Sequence, residues 1–135
     1  MKPFSPSWKA SASPRKQRKY RARLPLHLRR KLMHAVLSKE LRKKYRRRSF
    51  TVRRGDKVRV MRGRSRSREA KVERVDYRNE RLELTGIERT KKDGAKLLAP
   101  VHPSNVMIIE LDVSDKLRKQ KLGANLEAEM REAAP

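Results

Sequence analysis

The run Arg53-Arg-Gly-Asp-Lys-Val-Arg-Val-Met-Arg-Gly-Arg-Ser-Arg-Ser-Arg-Glu-Ala-Lys-Val-Glu-Arg-Val-Asp76 decides the fold. Lys57-Val58-Arg59-Val60-Met61 alternates polar and apolar side chains, the period of a half-buried strand. Ala70 to Val75 turns Val72 and Val75 toward a core from a second strand. Between them Arg62, Arg64, Arg66 and Arg68 occupy every second position, with no acid before Glu69. A loop pinned by strands at both ends and loaded in this way suits a strongly anionic partner.

The rest of the chain repeats that charge. The 135 residues carry a net charge of +24, with 4% aromatic and 36% hydrophobic residues. That length predicts one domain with a small core. Such a field repels itself, so a polyanion is the expected partner, nucleic acid before an anionic membrane. The chain has no cysteine, which excludes a disulfide frame or a zinc finger. No apolar run approaches the roughly 18 residues of a membrane span, and no apolar segment after Lys2 suggests secretion. Residues 1–50 are rich in Arg, contain several Ser and hold one acid, Glu40, a composition shared with mitochondrial transit peptides. The basic density and the capped helical patterns within them argue against that reading.

Three segments follow. Residues 1–48 read as a basic N-terminal extension with short helices. Two Pro and four Ser in residues 1–13 predict irregular chain, with Trp8 a stray aromatic or an anchor for an extended arm. Pro25 suits a first helical turn, and Leu26, Arg29, Arg30 and Met33 then form a short amphipathic stretch. Ser38 is a good N-cap for Lys39–Tyr45, with Leu41 and Tyr45 on one face. Helices this short need a partner or a neighbouring domain to order them.

Residues 49–112 read as a small barrel of five or six strands. Phe50-Thr51-Val52 leads in, Gly55-Asp56 and Arg78-Asn79-Glu80 turn, and Arg81-Leu82-Glu83-Leu84 alternates. Asp93-Gly94 signals a hairpin, and Val106-Met107-Ile108-Ile109 is the most apolar strand, expected to close the barrel. Val58, Val60, Val72, Val75, Leu82, Leu84, Val106 and Ile108 form the expected core. In residues 113–135, Ser114 is a possible cap for a short helix over Lys116 to Leu122, with Gly123 as its stop. Asn125 to Pro135 reads as a solvated helix or tail.

These residues carry a family resemblance. Gly55-Asp56-x-Val58-x-Val60-Met61-Arg62-Gly63, with Lys71-Val72 and Val75-Asp76, resembles the KOW motif of small SH3-like barrels. The flanks narrow it: Pro14-Arg15-Lys16-Gln17-Arg18-Lys19, Pro25-Leu26-His27, Leu37-Ser38-Lys39-Glu40-Leu41-Arg42, Lys92-Asp93-Gly94 and His102-Pro103-Ser104-Asn105-Val106. Over residues 14–122 the chain resembles the archaeal and eukaryotic family of the large-subunit ribosomal protein numbered twenty-four in the universal naming and twenty-six in the eukaryotic one. The resemblance implies a mostly β, SH3-like (KOW) barrel with a basic, partly helical N-terminal extension and a short C-terminal helix. It also implies a structural, non-enzymatic, cytoplasmic protein. Such a protein binds large-subunit rRNA directly, acts early in assembly and lies near the peptide tunnel exit. Its partners would be rRNA and neighbouring ribosomal proteins, with no membrane, cofactor, metal or small-molecule substrate. The family usually carries glycine where this chain has Ser67 and Ala70, so a loop of altered shape is expected.

Phosphate contact is the expected chemistry, because arginine presents a planar fork to phosphate oxygens and stacks on bases. The candidates are Arg62, Arg64, Arg66 and Arg68; Arg15, Lys16, Arg18, Lys19, Arg21 and Arg23; Arg29, Arg30 and Lys31; Arg42, Lys43, Arg46, Arg47 and Arg48; and Arg53 and Arg54. Lys91, Lys92 and Lys96 join them, although Glu88 and Asp93 lie close by. The plain alternative at each site is a solvated face. His27, His34 and His102 lack metal-ligand spacing, and His102 reads as a local turn former. Asp56, Glu69, Glu73 and Asp76 each adjoin a cation, as surface ion pairs would. Two other functions compete: a KOW module of a transcription elongation factor, and a general nucleic-acid packaging protein.

Overall fold

A computed structural model of the chain describes Phe4, Ser5, Ser7 and residues 10–123. Trp8 and the segment Asn125 to Pro135 lie outside the described residues. The chain opens with helix α1 (Pro14–Arg23), helix α2 (Leu26–Arg29) and a 3-10 turn (Arg30–Leu32). Strand β1 (His34–Leu37) and helix α3 (Lys39–Tyr45) follow. The strands β2 (Ser49–Thr51), β3 (Lys57–Val60), β4 (Glu69–Asp76), β5 (Arg81–Leu84), β6 (Glu88–Thr90) and β7 (Lys96–Leu98) come next. A 3-10 turn (Pro103–Asn105) leads into β8 (Val106–Glu110). Residues 116–123 are helical, and we call this helix α4.

Six strands form one sheet in the order β2-β1-β8-β3-β4-β5, while β6 and β7 pair as a separate hairpin. A register shift in β4 between Val72 and Arg74 lets the strand pair with β3 through its first half and β5 through its second. Bulges of this kind bend a strand and raise its twist. Leu82 of β5 then exchanges two backbone hydrogen bonds with Val101, both 2.8 Å. Val101 lies just ahead of β8, so this bridge brings β5 round to the β8 side and closes the barrel. The most apolar strand is therefore central, flanked by β1 and β3, and the short bridge before it does the closing.

The expected core is present: Val58, Val60, Val72, Leu82, Leu84, Val106 and Ile108 are buried, with Val75 half-buried against them. The same cluster takes in Met33, Ala35 and Leu37. The extension over residues 1–48 thus supplies a strand to the sheet, with β1 antiparallel to β2 and parallel to β8. The amphipathic stretch also resolves differently. Leu26 faces solvent, while Met33 is fully buried beyond the 3-10 turn.

Local capping follows the sequence in two places and departs from it in one. Leu41 N–H donates to Ser38 Oγ at 3.3 Å, so Ser38 caps α3. His102 Nδ1 accepts from Ser104 N–H at 3.2 Å and bonds Ser104 Oγ at 2.8 Å, which makes it the local turn former. At α4 the cap is Asp115, whose Oδ1 accepts from Leu117 N–H at 3.0 Å. Ser114 N–H instead donates to Asp112 Oδ1 at 3.1 Å.

One buried interaction ties α4 to the barrel. Asp56 has no exposed surface and Arg118 is 2% exposed. Arg118 Nη1 donates to Asp56 Oδ1 at 2.6 Å and Nη2 to Oδ2 at 2.7 Å. The same guanidinium bonds Asp112 O and Thr51 O and lies over the Phe50 ring. Asp56 accepts two more bonds, from Arg53 N–H at 2.8 Å and Asp112 N–H at 3.0 Å. The surface ion pair expected of Asp56 is corrected here: its partner comes from 62 residues away and excludes water. Gly55 beside it has φ +95°, and a Cβ there would approach Asp112 Oδ2 to 2.8 Å. The left-handed backbone favours glycine, whereas the Asp112 carboxylate, the end of an exposed side chain, could shift aside.

Two predictions arise from this packing. Arg118→Ala leaves Asp56 buried and unpaired, so unfolding in urea should show a loss of about 3–5 kcal/mol. The double variant Asp56→Leu/Arg118→Met should recover a large part of it; a loss under about 1 kcal/mol in Arg118→Ala would contradict the role of the pair. The second concerns pH. Burial first, then the Arg47 cation, holds His34 below the ordinary 6.5 of a histidine. Burial also leads at His102, with Arg81 and Arg21 adding and Glu80 opposing. The unfolded chain therefore binds protons on these rings before the folded chain does. Their contribution is complete above about pH 6.5 and is lost as pH falls through the depressed values. The urea midpoint should drop between about pH 7 and pH 5, and less so in His34→Gln/His102→Gln. An equal drop in that variant would assign the pH dependence elsewhere.

Candidate nucleic-acid interface

The arginine loop stands on a narrow base. Val60 N–H donates to Arg68 O at 2.9 Å, and Ser67 N–H donates to Val60 O at 2.8 Å. Met61 N–H donates to Asn105 O at 2.7 Å, fixing the loop root against the 3-10 turn before β8. Inside the loop Arg66 N–H reaches Gly63 O at 3.1 Å and Arg68 N–H reaches Ser65 O at 3.2 Å. These bonds fold the backbone inward upon itself and leave the side chains outside. Arg62, Arg64, Arg66 and Arg68 are all exposed, and none makes an ion pair among the described residues. The nearest acid in sequence, Glu69, is taken by Arg59 at 2.6 Å and Lys57 at 3.6 Å. Arg59 and Lys57 hold its carboxyl below the usual range.

Ser67 and Ala70, where the resemblance implies glycine, have different consequences. Ser67 sits at φ +68°, the left-handed conformation that glycine adopts without penalty. The chain keeps the tight closure and accepts the strain of a Cβ. Ala70 pairs with Val58 across β3 and β4 and is buried in ordinary strand. It contributes packing where glycine would leave a gap.

A second basic element is α1. Arg15, Lys16, Arg18, Lys19 and Arg21 are exposed, Arg23 is half-buried, and the helix buries no residue. It is anchored through its end. Arg29 donates to Leu24 O at 3.0 Å, Arg21 O at 2.7 Å, Ala22 O at 3.1 Å and Arg78 O. Arg29 is therefore a clamp joining α1 to the β4–β5 turn, with its donors directed at carbonyls. Asp76 holds that turn by accepting from Arg78 N–H, Asn79 N–H and Asn79 Nδ2. Those bonds, the Asn79 ones first, hold its carboxyl below the usual range. Arg21 also approaches Glu80 at 3.8 Å. The arginine loop and α1 thus lie at opposite ends of β4, separated by at most about 26 Å of strand.

The remaining candidates divide by their partners. Arg30, Lys31, Lys43, Arg46, Arg48 and Arg54 are exposed. Arg42 is exposed, but its Nε donates to Leu37 O at 2.8 Å. Arg47 lies over the Phe50 ring, and Arg53 is paired with Asp115, whose carboxyl it holds below the usual range. Lys91, Lys92 and Lys96 are exposed on the β6–β7 hairpin, with Lys96 near Glu88 at 3.9 Å. The hairpin forms at Asp93-Gly94 as its sequence predicts, with Lys91 N–H bonded to Ala95 O at 2.9 Å. Sequence reasoning missed Arg118 altogether: one more cation in a basic helix gives no sign that it is buried. No helix among the described residues is long and apolar enough to cross a membrane.

Ser67→Gly should relieve the left-handed strain and stabilise the fold by about 0.5–1 kcal/mol in urea unfolding. A neutral or destabilising result would mean that the hydroxyl supports the loop more than the strain costs.

A family model described as ribosomal proteins L26 eukaryotic, L24P archaeal matches residues 11–125. The chain is 49% identical over 112 residues to the large ribosomal subunit protein uL24 of Methanospirillum hungatei, covering 83% of this chain and 93% of that protein. It is 46% identical over 110 residues to the large ribosomal subunit protein uL24 of Methanothrix thermoacetophila, covering 82% and 95%. By this match over residues 11–125, the chain belongs to the archaeal and eukaryotic L26/L24P family of ribosomal proteins.

Proposed function

We propose that this protein is a structural constituent of the large ribosomal subunit that binds rRNA directly. The observation that carries the reading is the arginine loop: four exposed guanidinium groups on a hydrogen-bonded backbone, without a carboxylate partner among the described residues. Folded RNA is contacted largely through its backbone and 2′-hydroxyls, and unstacked bases add stacking surfaces. Arginine serves both. The cations of α1 supply a second contact at the far end of β4. Two separated contacts fix an orientation that one loop could not.

The barrel then acts as a spacer between two RNA surfaces, a role suited to early assembly, when rRNA segments are brought together. Placement near the peptide tunnel exit, beside other ribosomal proteins and in the cytoplasm, follows the family resemblance. The family match over residues 11–125 favours this reading over a transcription elongation module.

The test compares the wild type with Arg62→Ala/Arg64→Ala/Arg66→Ala/Arg68→Ala in binding to large-subunit rRNA across a salt series. The variant should keep its unfolding midpoint and bind more weakly. Its slope of log affinity against log salt should flatten by about one unit for each phosphate that the loop no longer neutralises. An unchanged slope would make the loop a solvated hairpin. Wild-type protein that fails to enter large subunits in a sucrose gradient would refute the reading as a whole.

A further inference from the structure

A third basic surface belongs to neither the arginine loop nor α1. A cleft of about 390 Å³ opens between the α2 and 3-10 segment on one side and α4 on the other, with β2 at its base. His27, Arg30 and Lys31 line one wall, Lys121 and Leu117 the other, and Arg53 and Arg118 lie deeper. The two walls are some ninety residues apart in the chain, so no run of sequence displays the cluster.

Its charge is unbalanced. Five Lys or Arg side chains line the cleft. Asp56 and Asp115 bond Arg118 and Arg53 respectively, which leaves Arg30, Lys31 and Lys121. These three are exposed and make no ion pair among the described residues. Cations gathered in a concave surface raise the local potential more than the same cations spread over a convex one. The geometry is also fixed. Arg118 bonds Asp56, Asp112 O and Thr51 O at once, so α4 is held at a set distance from β2. On the other wall, Val52 N–H donates to Met33 O at 2.9 Å, which ties the end of the segment carrying Arg30 and Lys31 to the β2 side. Leu117, 65% exposed at the mouth, adds an apolar surface beside the charge.

We propose that this cleft is a separate phosphate-binding subsite for folded RNA. It takes the backbone of one nucleotide, with Arg30, Lys31 and Lys121 on the phosphate and Leu117 against the sugar or base. The subsite rests on the rRNA-binding reading above and deepens it by adding a contact beside β2, away from the β3–β4 loop. The fork of Arg30 can take two phosphate oxygens, while Lys31 and Lys121 act as point charges from either wall.

The experiment uses the full chain and large-subunit rRNA of Methanospirillum hungatei, the source of a 49%-identical relative. The chain contains no cysteine, so Leu117→Cys gives a single attachment point for a photoreactive aryl azide. The labelled protein should crosslink to rRNA in reconstituted large subunits. In parallel, Arg30→Gln/Lys31→Gln/Lys121→Gln should keep the wild-type unfolding midpoint and lower the salt slope by about one unit, for the one phosphate released. Combined with the four loop substitutions, the reductions in slope should add. An unchanged slope in the cleft variant, alongside a flattened one in the loop variant, overturns the subsite and leaves the rRNA-binding reading standing. A crosslink to a ribosomal protein overturns it in favour of an acidic protein partner. Failure of the wild type to bind rRNA overturns both.

Discussion

The carboxylate of Asp56 and the guanidinium of Arg118 meet in a dry pocket, and much of the architecture depends on that meeting. Removing two charges from water is costly, and the Coulomb gain offsets it only when the remaining donors and acceptors are satisfied. Here Asp56 accepts four N–H bonds, two from Arg118 and one each from the backbone of Arg53 and Asp112. Arg118 in turn bonds the carbonyls of Thr51 and Asp112, and its Nε–H is the donor left buried without a partner among the described residues. The pair therefore locks four parts of the chain together: β2, the turn before β3, the end of β8 and α4. An apolar pair of similar volume could fill the space but would lack the directional bonds to Thr51 O and Asp112 O that hold α4 here.

The same interaction shows how the protein organises a charge of +24. Several of its carboxylates are committed to local structure. Asp56 holds Arg118, Asp76 holds the β4–β5 turn, Asp112 bonds Ser114 N–H, and Asp115 caps α4 while pairing Arg53. Glu69 fastens β4 to β3 through Arg59. With so many acids committed to turns and caps, the arginine loop, α1 and the α2–α4 cleft keep an uncompensated positive surface. A fold built this way resists its own repulsion best when a polyanion or salt screens it.

Legibility followed periodicity. Val58, Val60, Leu82 and Leu84 alternate with polar neighbours, so strands and inward faces could be read directly. The arginine loop was equally plain, because strands bracket a run without acids. β1 was not. Four residues, His34 to Leu37, lie between a basic turn and a basic helix, too short for a period to emerge. Its place depends on pairing with β2 and, in parallel, with β8, more than seventy residues ahead. Arg29 and Arg118 were illegible for a related reason. In sequence each is one cation among many, and only the carbonyls and carboxylate that surround them in space distinguish a clamp from a phosphate ligand.

The sequence by itself determined the alternating strands β3 and β5, the turn at Gly55-Asp56, the Ser38 cap, the Asp93-Gly94 hairpin and the basic loop. Each is set by interactions among residues a few positions apart. Only the tertiary structure decided that Met33 and Leu37 enter the core, that Val101 closes the barrel, and that Ser67 takes a left-handed backbone to complete the loop root. It also decided which cations turn inward and where the α2–α4 cleft forms. Those outcomes depend on partners from distant parts of the chain, whose meeting no local period records.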